Sequence, residues 1–208
     1  MTTQAAAVPW RVRRARLVTA VRERGEAILS LNLTGMSKRD AARWASARNM
    51  ADLGELVIAW LNGEITQTPG HCGPPDDETG PLRPALTVLN RGGFVTDNSQ
   101  LAEIVDGDAW GTDVSGFATD ETLAQIRAAV AGTDLKMGAC RGKVHGCWRG
   151  RWRVPPCPRR GCTDFWAGAC PDAADALWDT WWVHIEDPEP GRNDLLWPTL
   201  TGALESRG

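Results

Sequence analysis

Glu78 and Thr79 stand in front of an apolar-periodic helix, and Thr96, Asp97, Asn98, Ser99 and Gln100 follow it, in the stretch "ETGPLRPALTVLNRGGFVTDNSQ" over 78–100. A helix and the strand returning from it fold back on one another, so the helix start and the strand end tend to meet at one end of a layer. Brought together, the two clusters offer a carboxylate, hydroxyls and an amide. Such a set suits a ligand with an ammonium, a carboxylate and ribose hydroxyls. The same atoms also serve plain structure. Asp77 or Thr79 can cap the helix, and Thr96 and Ser99 can finish a strand and open a turn. No GxxxxGK or GxGxxG occurs, which disfavours a phosphate loop. The candidate bases are Glu78 and Asp77 in the cluster itself and His71 in the Gly/Pro loop "PGHCGPP", a segment that can close as a lid. Glu78 equally suits holding an amino group or a ribose, and a lone loop histidine equally suits a structural role. His145 and His184 are weaker candidates; His184 alternates in a strand and reads as half-buried.

The elements that must position these groups follow from caps and periodicity. Ser37 caps an Ala-rich helix, and Asp52 opens a second one with Leu53, Leu56, Val57, Trp60 and Leu61 at core-facing spacing. Gly63 ends that helix, and residues 66–77 form a loop. A helix from about Gly80 to Asn90 carries Leu82, Leu86 and Leu89 on one face and ends in a left-handed glycine cap at "RGG". "FVTDNS" is a strand, "QLAEIVDGDAWGTD" an open stretch and "VSGFAT" a strand. Thr119 caps a helix to about Val130, and "DLKMGACRG" is a strand. "DAADALWDT" is a short helix, "WWVHIED" a strand and "RNDLLWPTLTGALES" a closing helix. This alternation predicts an α+β domain over 36–208 with mixed sheets and flanking helices. Residues 1–35 form a basic extension, either a solvated amphipathic helix or arm or an electrostatic contact for an acidic partner.

The 208 residues suffice for one domain with a substantial core. A net charge of −3 gives no bulk signal for nucleic acid or a membrane. No apolar run is long enough for a transmembrane helix, and the N-terminus lacks the apolar centre of a secretory leader, so a cytoplasmic protein with reduced thiols is expected. The Cys/Arg/Trp-rich segment 139–171 reads as an irregular insertion. Cys140, Cys147, Cys157 and Cys162 are a weak alternative as zinc ligands, since only Cys157-x4-Cys162 approaches the paired short gaps of zinc ribbons. Zinc is not favoured over thiols packed as small apolar groups. Arginines beside Trp148 and Trp152 could meet phosphates and bases, but the acidic balance disfavours nucleic acid.

Several of these stretches together resemble the S-adenosylmethionine-binding C-terminal regulatory domain of eukaryotic methylenetetrahydrofolate reductase. That family has Leu-Ser-Gly-Glu, a loop, Glu-Thr, an apolar helix ending Asn-Arg-x-Gly, then Leu-Thr-Ile-Asn-Ser-Gln-Pro. Here "LNGE" stands at 61–64, "ET" at 78–79 and "LNRGGFVTDNSQ" at 89–100, with the spacing from Glu-Thr to Thr-x-x-Ser-Gln kept. "GFATDETLAQIRAAV" and "WWVHIEDPEPGRNDLLWPTL" resemble later parts of the domain. The similarity covers most of 50–205, leaving 139–171 unmatched. The same combination also resembles a family of short actinobacterial proteins, which carries no function with it. Leu101 replaces the family's proline, suggesting a different loop exit, and Asp97 replaces an apolar residue, putting a charge on the solvent side of the strand.

The resemblance implies that Asp76, Asp77, Glu78, Thr79, Thr96, Asp97, Asn98, Ser99 and Gln100 contact S-adenosylmethionine. It also implies a homodimer as one assembly. A (β/α)₈ reductase barrel does not fit beside this domain in 208 residues. Two functions remain: a sensor acting on a partner, or a small enzyme that cleaves the sulfonium intramolecularly. In the second, cyclisation or elimination of the aminobutyrate arm gives a cyclopropane amino acid, a lactone or an eliminated amino acid, and releases methylthioadenosine. Holding the arm in a near-attack shape supplies much of that rate.

Overall fold

Local caps fix the helices. In the computed structural model, which describes residues 36–105, 108, 109, 111–141 and 162–205, the hydroxyl of Ser37 accepts the Asp40 N–H at 3.0 Å and opens α1 (Lys38–Ala45). The basic extension 1–35 lies outside the described residues. The second helix, α2 (Met50–Leu61), is capped by Asn49 rather than Asp52: Asn49 Oδ1 accepts the Asp52 N–H at 2.9 Å, while the Asp52 carboxylate accepts the Arg48 N–H at 2.8 Å. Gly63, at φ 78°, ends this segment as expected.

The single helix expected over 80–90 is split. Asp77–Leu82 is a 3₁₀ turn and α3 spans Arg83–Arg91. Pro81 and Pro84 lack N–H groups, so the α-helical ladder cannot extend back through them. Gly93, at φ 88°, supplies the left-handed exit into β1 (Phe94–Gln100). A small hairpin, β2 (Ile104–Val105) with β3 (Asp108–Ala109), occupies the stretch expected to be open. Then come β4 (Asp113–Ala118), α4 (Asp120–Val130) capped by Thr119, and β5 (Lys136–Arg141). A helix the sequence reading did not foresee, α5 (Cys162–Ala169), lies inside the segment expected to be irregular. A 3₁₀ turn, α6 (Ala174–Trp178), β6 (Trp181–Glu186) and α7 (Leu196–Leu204) complete the chain.

The α+β class holds, but the main sheet is antiparallel rather than mixed. Its order is β1-β4-β6-β5, and every pairing is antiparallel. The reason is an insertion. The β4-α4-β5 unit sets β4 and β5 parallel, and β6, arriving later, slots between them and opposes both. On one face α3 lies along β1, α4 crosses β4, β5 and β6, and α7 packs against both helices, burying Phe94, Val114, Val183 and Ile185. On the other face Phe117 meets the Trp166 ring of α5 at 5.6 Å, and Trp166 meets Trp44 of α1 edge-on at 5.5 Å. Gly116 permits a close strand approach: a Cβ there would stand 2.3 Å from the Val95 carbonyl oxygen. Among the described residues no helix is long and apolar enough to cross a membrane.

The joint between α3 and β1 rests on Asn90, which is 1 % exposed. Its amide donates to the Leu86 carbonyl at 2.8 Å and to Thr96 Oγ1 at 2.9 Å, and its Oδ1 accepts the Thr96 N–H at 3.1 Å. Asn90→Ala is expected to cost about 1–3 kcal/mol, because it strands the buried Thr96 groups. Urea unfolding measures it; a loss below a few tenths of a kcal/mol refutes the lock.

Candidate functional site

The 3₁₀ turn Asp77–Leu82 touches β1. The turn that carries the Glu-Thr pair is therefore a neighbour of the returning strand. Asp76, Asp77 and Glu78 are exposed on this turn, whereas Thr79 is buried, its N–H donating to the Asp76 carbonyl at 2.9 Å. On β1, Thr96 is buried, Asn98 is exposed, and Asp97, Ser99 and Gln100 are half-buried.

A β-bulge divides the strand's candidates between two faces. Asp97 is the extra residue between the Thr96–Gly116 and Asn98–Ser115 pairs. Before it, Thr96 points to Asn90 on the helix-covered face. After it, Ser99 pairs with the fully buried Val114. Asp97 and Asn98 turn to the opposite face. The Thr96 hydroxyl is already an acceptor for Asn90, so toward a ligand it has its proton left to donate. Asp97 is not a solvent-side charge. Its Oδ1 accepts Ser115 Oγ at 2.6 Å and its Oδ2 accepts Trp182 Nε1 at 3.1 Å. Beyond Gln100 the loop exit is clamped: Asn193 Oδ1 accepts the Ala102 N–H at 2.8 Å and Asn193 Nδ2 donates to the Ala102 carbonyl at 3.1 Å.

His71 is tied into its own loop. Its ring packs edge-on against Trp60 at 5.4 Å, and Nε2 lies 3.1 Å from the Pro74 carbonyl. Trp60 Nε1 donates to the Gly73 carbonyl at 2.9 Å, and Thr68 Oγ1 accepts the N–H groups of Gly70 and His71. These bonds pin to α2 the loop expected to act as a lid. Cys147 and Cys157 of the weak zinc alternative lie outside the described residues; Cys140 is on β5 and Cys162 starts α5. Among the described residues no three His, Cys, Asp or Glu side chains gather as a metal site would require.

The sequence reading passed over a polar cluster on the bulge side of the sheet. The register sets Asp113 opposite Glu186 and Ser115 opposite His184 on β4 and β6. Trp182 shares that face and reaches across β4 to Asp97. The Trp182 and His184 rings stand nearly parallel at 6.0 Å, and His184 Nε2 lies 3.6 Å from Glu186 Oε2. Both side chains are partly open, 32 % for His184 and 27 % for Glu186. Asn98 Nδ2 donates to Asp113 Oδ1 at 3.3 Å. Burial holds the Asp113 carboxyl above the usual carboxylate range. An imidazolium at His184 and the Asn98 bond oppose that rise, and the Glu186 and Asp97 charges reinforce it. The available signal was parity: polar residues recur at every second position in "DVS" and again in "WWVHIE".

A separate cleft of about 660 Å³ opens beside α1 and α2, lined among others by Arg43, Arg48, Asp52, Glu55, Asn62 and Arg91. It contains none of the candidate residues. Its ion pairs, Arg43–Glu64 at 3.8 Å and Arg91–Glu55 at 3.9 Å, are solvent-exposed and contribute little.

Among known families, the model described as "Domain of unknown function (DUF6919)" matches residues 39–207. No curated protein matches the chain.

Proposed function

The chain belongs to the family described as Domain of unknown function (DUF6919), and we propose that it binds S-adenosylmethionine beside the 76–79 turn and the 96–100 strand and cleaves the sulfonium intramolecularly, releasing methylthioadenosine. One observation carries the reading: the 3₁₀ turn bearing Glu78 and Thr79 lies against the strand bearing Thr96 and Ser99. These are the two motifs whose spacing resembles an adenosylmethionine-binding domain. In this reading Thr79, Thr96 and Ser99 offer hydroxyls, and the exposed carboxylates of Asp76, Asp77 and Glu78 meet an amino group or ribose. The ligand's sulfonium is its own leaving group, so the protein supplies shape, charge and one proton acceptor. A cytoplasmic setting fits, with Cys72 and Cys170 as thiols rather than a disulfide.

The test is incubation of the full chain with S-adenosylmethionine, followed by chromatography and a melting curve. Release of methylthioadenosine is the expected result. Unchanged ligand with a raised melting temperature identifies a non-catalytic sensor; saturation at 100 Kd stabilises by about 2.7 kcal/mol. The absence of both product and a melting shift would refute the binding reading itself.

A further inference from the structure

The sheet face to which Asp97 turns also carries His184, an imidazole outside the motif residues. We infer that His184 accepts the proton in this cleavage, with the ligand's sulfonium lying over Trp182 between Asp97 and Asp113; the inference rests on the adenosylmethionine reading. Asp77 and Glu78 are exposed on a turn, and His71 is committed to Trp60 and Pro74. His184 instead sits on a strand flanked on both sides within the sheet, partly open, with one ring nitrogen facing the Glu186 carboxylate. Glu186, 3.6 Å from Nε2, is within ion-pair and not hydrogen-bond range, so its charge steadies an imidazolium while the Nδ1 lone pair is left to act as base.

Reach and charge agree with this placement. Among the described strands β1 is at the edge, so a ligand held by the turn beside it can pass round that edge to the other face. Strands are about 4.8 Å apart, which sets Asp97 on β1 and His184 on β6 about 10 Å apart, across the single strand β4. A sulfonium about 4 Å from the Asp97 carboxylate, an arm of roughly 4 Å from sulfur to Cα, and a base about 3 Å from that carbon together cover the ground. An aromatic floor with carboxylates at its sides attracts a cation such as a sulfonium. The charged and titratable groups on this face are Asp97 of β1, Asp113 of β4, Glu186 of β6, and Lys136 and Cys140 of β5, in register with Glu186 and Trp182.

The step balances without a co-reactant. His184 takes a proton from Cα or Cβ of the arm. The C–H electron pair forms a bond to Cγ, closing a three-membered ring, or becomes a Cβ–Cγ double bond. The Cγ–S bond breaks with its pair going to sulfur, and neutral methylthioadenosine leaves. The imidazolium then returns its proton to water.

His184→Gln and His184→Asn are compared with wild type and with His71→Gln for methylthioadenosine release across pH, and for the melting shift with S-adenosylmethionine. Both His184 variants are expected to lose about 10²–10⁴-fold in turnover and to keep the ligand-induced melting shift. They should also lose the rise of rate with pH that wild type and His71→Gln retain. Wild-type rates in the His184 variants overturn the inference and leave the proposed function standing. A wild type that binds without turnover overturns it in favour of the sensor. A wild type that shows neither binding nor product overturns both.

Discussion

Replacing Asp187 by alanine should lower the unfolding free energy by about 3–5 kcal/mol, the range for breaking a buried ion pair by removing one partner. The Asp187 side chain has no exposed surface, and Arg192, 22 % exposed, grips it twice. Arg192 Nε donates to Oδ2 at 2.7 Å and Nη2 to Oδ1 at 2.7 Å, while the Glu189 N–H donates to Oδ1 at 3.0 Å. Arg192 also pairs with Glu189 at 2.8 Å and Asp134 at 3.7 Å, so the turn from β6 to α7 and the start of β5 converge on one guanidinium. Burial alone would raise the Asp187 carboxyl. The Arg192 hydrogen bonds, the Glu189 N–H and the Arg192 charge outweigh that and hold it below the ordinary range. A depressed folded-state value means that the carboxylate's contribution is complete above the unfolded value of about 3.9 and is lost as pH falls through the folded one. The gap between wild type and Asp187→Ala, read from urea curves, should therefore be widest near neutrality and shrink below about pH 4. A gap that stays constant down to acid, or one under about 1 kcal/mol at neutrality, would show the clamp to be ornamental.

What the sequence disclosed depended on how local each cause is. Ser37, Gly63, Gly93 and Thr119 act within one turn of chain, and each sits where its residue type predicts. Asn49 and Asp52 are both competent caps three residues apart, and only the Arg48 N–H, which occupies Asp52, settles the choice. The insertion of β6 between β4 and β5 is not local. Periodicity shows that the three strands exist but not who pairs with whom, so an antiparallel sheet was read as mixed. α5 escaped notice because eight residues beside a run of cysteines and arginines carry no clear apolar period. At the site, the meeting of the Glu-Thr turn with β1 was legible, since a short helix folding back leaves little alternative. The division of that strand between two faces was not. One bulged residue reverses the parity of everything after it, and the bulge exists only in the pairing of β1 with another strand, β4. His184 was correctly read as half-buried, but its neighbours Asp97 and Asp113 come from strands whose register no local signal sets.

Trp166→Ala should cost about 3–5 kcal/mol, as emptying a large buried aromatic does. Trp166 is 1 % exposed and wedges between Trp44 of α1 and Phe117 of β4. Its removal leaves both rings facing a void, since neither helix nor sheet can collapse far to fill it. A second variant separates packing from polarity. Trp166 Nε1 has no hydrogen-bond partner among the described residues, and a Cβ on Gly70 would stand only 3.2 Å from it. Trp166→Phe removes that buried N–H, whose isolation costs about 1–3 kcal/mol, while keeping one ring in the stack. The phenylalanine variant should therefore lose less than half of what the alanine variant loses in urea unfolding. Equal losses would mean that the N–H is satisfied in solution and that the indole, not the stack, is what the site needs. The consequence extends to the proposed S-adenosylmethionine site. Gly70 belongs to the loop that hands the chain to the Asp77–Leu82 turn, and Phe117 shares its sheet face with Trp182. Loosening this wedge should thus also reduce the melting shift that the proposed S-adenosylmethionine binding predicts, more in Trp166→Ala than in Trp166→Phe.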